Sequence, residues 1–146
     1  MATVKWAAFA SRGSVLTTEM NALANAGFAA LGPVYDNRSN LDRWAWVELT
    51  LSSLTPVAGA CIYVFMSPTL DDTDYDDGPS STNPGSHLLV AVLSIKTGVG
   101  AKKIVSLSPF ALPPGQMKFS VKNQAGVALG ATGNVLALFT ANESVT

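Results

Sequence analysis

Trp44-Ala45-Trp46-Val47-Glu48-Leu49-Thr50-Leu51 alternates at every step. Trp44, Trp46, Glu48 and Thr50 fall on one face, and Ala45, Val47, Leu49 and Leu51 on the other. Period-two patterning in β-branched and aromatic residues marks a strand with one buried face. Residues 60–66 follow as a near-continuous apolar run, suited to a central strand. Residues 88–96 form another run, and 102–107 a shorter one. Residues 117–123 alternate, with Met117, Phe119 and Val121 inward and Lys118, Ser120 and Lys122 outward. Residues 134–141 complete the main set, with weaker strand signals near 3–10 and 28–35.

Turn signals separate these runs: Asp77-Gly78-Pro79, Asn83-Pro84-Gly85, Pro113-Pro114-Gly115 and Gly130-Ala131-Thr132-Gly133-Asn134. Short strands with this punctuation predict a mainly all-β chain, an antiparallel β-sandwich or jelly roll. One helical exception is expected near the N-terminus, over 17–26. There Thr17 suits an N-cap, Glu19 the first turn and Gly27 the stop. At 146 residues the chain fits a single domain, 1–146. Residues 1–13 carry little that would anchor them in their own core and are expected to form an assembly arm.

Charge is scarce. Asp, Glu, Lys and Arg make up 13% of residues, against roughly 25% in ordinary soluble domains. Such a surface is expected to be partly covered by other subunits. Half of the ten acids are Asp71, Asp72, Asp74, Asp76 and Asp77. Residues 96–146 hold Lys96, Lys102, Lys103, Lys118 and Lys122 against Glu143 alone. This reads either as ordinary solvated loops or as a bipolar surface that steers packing of copies. The net charge of −1 favours neither nucleic acid nor a membrane surface. The uncharged stretches 49–70 and 123–142 are broken by Pro and Gly, so neither reads as a membrane span. No secretory signal is legible at the N-terminus, and synthesis in a cytoplasm is expected.

Candidate chemistry is thin. His87 is the only histidine, and Cys61 the only cysteine, expected buried and inert. No nucleophile elbow, zinc spacing or phosphate loop occurs, so no enzyme and no cofactor are expected. Asp72, Asp74 and Asp76 alternate in one loop and could supply several of the oxygen ligands that Ca²⁺ takes, although the spacing fits an EF-hand loop poorly. The competing reading is a hairpin tip whose Asp side chains cap their own turn. Trp44 and Trp46 point the same way, as core, as subunit interface or as a sugar-stacking platform. Val4, Trp6 and Phe9 of the arm, Trp44 and Trp46, and Lys102 and Lys103 are the interface candidates.

Two segments resemble a family of small virion proteins from tailed bacteriophages. One runs from Leu16-Thr17-Thr18-Glu19-Met20-Asn21 through Ala30-Leu31-Gly32 and Asp36-Asn37 to Asn40-Leu41-Asp42. The other runs from Leu112-Pro113-Pro114-Gly115 through Lys118-Phe119, Lys122-Asn123, Gly126-Val127-Ala128-Leu129 and Gly133-Asn134 to Asn142-Glu143. Between them, residues 67–78 resemble the family's hairpin loop, in which Gly often stands at the place of Asp72. The resemblance implies a jelly-roll decoration, or cement, protein on the capsid surface of the virion, made in the bacterial host. Its implied partner is the major capsid protein, and its implied state a homo-oligomer such as a trimer. The alternative is a tail-fibre or baseplate module that binds carbohydrate in host recognition.

Overall fold

A computed structural model describes residues 4–9, 11–76 and 84–145. Its strands are β1 (Val4–Trp6), β2 (Ser11–Leu16), β3 (Tyr35–Asp36), β4 (Trp44–Leu54), β5 (Cys61–Pro68), β6 (Leu89–Ser94), β7 (Gly100–Val105), β8 (Phe110–Ala111), β9 (Gln116–Gln124), β10 (Val135–Ala141) and β11 (Glu143–Val145). One sheet has the order β2-β10-β4-β7, with β8 also on β4; the other has the order β3-β9-β5-β6. All pairs are antiparallel. The two sheets pack as a sandwich.

The pairing is nested. β5 pairs with β6, β4 with β7, β3 with β9 and β2 with β10. The pairs β10–β4 and β9–β5 then join this folded-back ribbon into two sheets. A nested ribbon wound around one core is the jelly roll.

The alternation of β4 sets the layers. Ala45, Val47, Leu49 and Leu51 are fully buried. They pack in one cluster with Leu136 and Leu138 of β10, Ile62 and Val64 of β5, and Met117, Phe119 and Val121 of β9. Each large aliphatic side chain so buried contributes about 1.5–3 kcal/mol. Ser120 shares the outer face with Lys118 and Lys122 as expected, but is itself buried opposite Phe65.

The expected helix over 17–26 is not formed. A single 3₁₀ turn covers Thr18–Met20, and the Thr17 side chain makes no cap. Glu19 instead accepts the Thr17 backbone N–H at 2.8 Å. Ala22 and Ala26 have φ of 55° and 64°, outside the helical region. Their amides donate to the carbonyls of Gly130 (2.9 Å) and Asn123 (2.7 Å). Tertiary hydrogen bonds have replaced the helical ladder.

Buried asparagines pin the loops. Asn123 donates to the carbonyls of Leu23 and Val127 and accepts from the Ala125 amide. Asn134 donates to Asn21 Oδ1 and to the Gly130 carbonyl, and accepts from Ser52. A Cβ at residue 130 would collide with the Ser52 hydroxyl, which would have to turn away from Asn134 to admit it. At the other end Asn37 holds Asp42 through both backbone groups and reaches the Pro113 carbonyl. Asn142 binds the Asp42 carboxylate and the Arg43 amide.

Candidate interaction surface

β1 belongs to neither main sheet. It pairs with β11 in the register Val4↔Val145, Lys5↔Ser144, Trp6↔Glu143. The Ala7 amide extends this ladder to the Asn142 carbonyl at 2.8 Å. Phe9 and Trp6 lie on the outward rings of β4 and β10. The Trp6 ring meets Trp46 at 5.4 Å and Trp44 at 6.0 Å between centroids; Phe9 meets Trp46 at 5.2 Å and Phe139 at 5.6 Å. All four contacts are edge-on, the arrangement that the aromatic quadrupole favours. Trp44 and Trp46 are half-buried beneath this layer. Val4, Trp6 and Phe9 remain 61%, 55% and 58% exposed.

Charges border the rings. Arg12 sits 5.5 Å from the Phe139 ring centroid and donates to Glu48 at 2.9 Å. Lys103 reaches the second Glu48 oxygen at 3.0 Å. Glu48 is only 6% exposed. The Arg12 hydrogen bond, joined by Lys103 and opposed by burial, holds its carboxyl below the usual range. The structure thus joins Trp6, Phe9, Trp44 and Trp46, with Lys103 at the margin and Val4 further out on the ribbon. Lys102 turns away and donates to the Gly98 carbonyl at 2.7 Å. Glu48 falls on this face as the alternation of 44–51 predicts; Phe139 and Arg12 were not anticipated there. Phe139 is brought there by the β10–β4 register, which sets it opposite Trp46.

A second apolar region lies where the edge strands β6 and β7 flank a cleft of about 470 Å³. Residues 90–94 and 104–108 line it, without a charge among them. Val92, Val105 and Leu107 are exposed there.

The Asp loop disperses its carboxylates. Asp71 Oδ1 accepts the amides of Thr73 and Asp74 and the Thr69 hydroxyl, each at 2.9 Å. The amide of Asp74 first, then that of Thr73, hold the Asp71 carboxyl well below the carboxylate range. Asp72 pairs with Arg38, which also clasps Asp36. The Arg38 side chain holds Asp36 well below the ordinary carboxylate range. Asp76 meets His87 Nε2 at 3.1 Å. Of the candidate calcium set Asp72, Asp74 and Asp76, Asp72 and Asp76 therefore face different partners, and the Asp74 carboxylate meets none among the described residues. Among the described residues no three His, Cys, Asp or Glu side chains converge as metal ligands. Asp77 lies outside the described residues.

Cys61, expected buried, is half-exposed. Its place opposite Gln124 at the end of β5 puts it on the outer face of the sheet. Its hydrogen bond to Tyr63 pushes the Tyr63 hydroxyl up. Among the described residues no helix is long and apolar enough to cross a membrane.

No protein-family model matches the chain, and no curated protein matches it.

Proposed function

We propose that this chain is a structural virion protein of a tailed bacteriophage that binds and reinforces the capsid lattice as a decoration protein. The observation that carries the reading is the aromatic layer on the outer face of the β2-β10-β4-β7 sheet. Its upper members Trp6 and Phe9 stay more than half exposed, with exposed Val4 on the adjoining ribbon, although their own chain provides a seat. Large aromatic side chains presented this way suit the centre of a protein interface.

The residues that carry the family resemblance have a coherent role in the fold. Asn37, Asp42, Asn123, Asn134 and Asn142 each tie a loop to a segment far away in the chain. Asp72 has φ of 64°, a left-handed conformation that Gly adopts freely and Asp tolerates better than most residues. The loop can therefore hold Asp where the resemblance places Gly.

The mechanism is mechanical. Each copy straddles neighbouring major capsid subunits and buries apolar surface against them. At about 25 cal/mol per Å² that burial opposes their separation. The carbohydrate-binding alternative gains less support, because Trp44 and Trp46 lie half-buried beneath Trp6 and Phe9 rather than open for stacking.

Cosedimentation with shells of the major capsid protein tests the reading. The wild-type chain should pellet saturably with the shells. The double variant Trp6→Ser, Phe9→Ser should bind at least about tenfold more weakly, as expected for losing two aromatic anchors. A wild-type chain that stays in the supernatant would overturn the decoration role. Undiminished binding by the double variant would remove this face from the contact.

A further inference from the structure

The β1–β11 ribbon is the least self-sufficient part of the molecule. It has two strands, belongs to neither main sheet, and pairs only with itself among the described residues. A two-stranded ribbon in water is marginal unless it gains another strand or a packing surface. The packing that it does gain is partial. All three β1 side chains are exposed, and Trp6 and Phe9 cover Trp44, Trp46 and Phe139 while more than half of their own surface faces outward.

We propose that residues 4–9 are exchanged between copies. In the assembled protein the segment pairs with β11 and seats on the aromatic face of a second copy of this chain. The occupant is argued from fit. This face already accepts this segment, with a defined register and edge-on ring contacts. Exchange repeats the same contacts between chains, so the interface needs no new complementarity. Domain swapping is a low-cost route to oligomers for this reason. The only charge on the segment is Lys5, which lies opposite uncharged Ser144, so no like charge faces it across the ladder. Reciprocal exchange gives a two-fold dimer, and head-to-tail exchange a ring where the rotation closes. Either form leaves the outward sides of Trp6 and Phe9 available. The proposal therefore goes beyond lattice binding and stands apart from it.

The test uses the full chain and no capsid, so it can fail separately from the decoration reading. Two Cys61→Ser chains of different mass are co-expressed, one carrying Lys5→Cys and the other Ser144→Cys. Residues 5 and 144 are ladder partners, close enough for a disulfide after modest adjustment. Exchange predicts a mixed disulfide joining the two masses as a main product on a non-reducing gel. Absence of that product overturns the proposal, provided that a single chain carrying both cysteines cross-links internally. Should the double-cysteine chain not cross-link either, the β1–β11 register itself is wrong and the proposal falls with it. As an independent measurement, deleting residues 4–9 should convert the assembled protein to a monomer in light scattering while its circular dichroism stays β-rich. A deleted chain that stays assembled contradicts exchange.

Discussion

Around the connection from β9 to β10, Asn123 and Asn134 turn inward and bind groups far away in sequence, the Leu23 carbonyl and the Ser52 amide among them. In the connection from β5 to β6, Asp71, Asp72 and Asp76 stay outside and bind groups at the surface. Both stretches are polar and both would read as loops, yet only one is part of the interior. The difference is chemical. An amide carries two donors and an acceptor capacity without net charge, so it can be buried once every group is used. A carboxylate retains its charge; buried Glu48 holds a cation on each oxygen, whereas buried Asp42 accepts from the Asn142 amide at one oxygen.

Breaking the inward loop should have the largest effect. Asn123→Ala strands the carbonyls of Leu23 and Val127 and the amide of Ala125, and should cost about 3 kcal/mol in a urea titration. Asn134→Ala should fall in the same range. A loss below about 1 kcal/mol for both would dissolve the contrast between the loops.

Glu48→Ala belongs between the two extremes. Arg12 and Lys103 keep side-chain exposures of 51% and 66%, so water can take them over, and the loss should be about 1 kcal/mol by the same titration.

The acid loop is better separated by pH. Asp36, Glu48 and Asp71 hold their protons less tightly in the folded chain than in the unfolded one. Their stabilisation is complete above the unfolded carboxylate value of about 4 and is lost as pH falls through the folded values. The Tm should therefore drop below about pH 4. Asp71→Asn should lower the Tm at pH 7 by less than Asn123→Ala does, and should leave a shallower acid drop. An unchanged acid drop would show that the Asp71 turn contributes nothing to it. The smallest effect is expected at Asp74. The turn uses its amide, while its carboxylate meets no partner among the described residues. Asp74→Asn should leave the Tm unchanged with or without millimolar calcium; a calcium-dependent rise lost in this variant would make the loop a cation site after all.

The main strands were legible from residues alone. β4, β5, β6, β9 and β10 lie where 44–51, 60–66, 88–96, 117–123 and 134–141 predict them, because a buried face imposes alternation on its strand and burial of both faces a continuous apolar run. β2 was not legible, since Ser11-Arg12-Gly13-Ser14 lacks strand formers and the segment is held by its ladder to β10. The 17–26 stretch misled because its Ala-rich pattern favours a helix locally, and the carbonyls that overrule it are about a hundred residues away. At the surface, Trp44 and Trp46 share a face with Trp6 and Phe9, as their ring contacts show. Phe139 and Arg12 join it only through pairing across strands, which periodicity does not encode.

Nested pairing also has a consequence for synthesis. β5 and β6 can meet as soon as both have left the ribosome, but Leu16 must wait for Leu136 and Val4 for Val145. High contact order of this kind slows folding and leaves strand edges open for longer. The outermost pair closes last, after the sandwich beneath it exists. During that interval a nascent chain on a crowded polysome meets the open end of its neighbour, and the order of events in translation becomes a determinant of which copy each end finally joins.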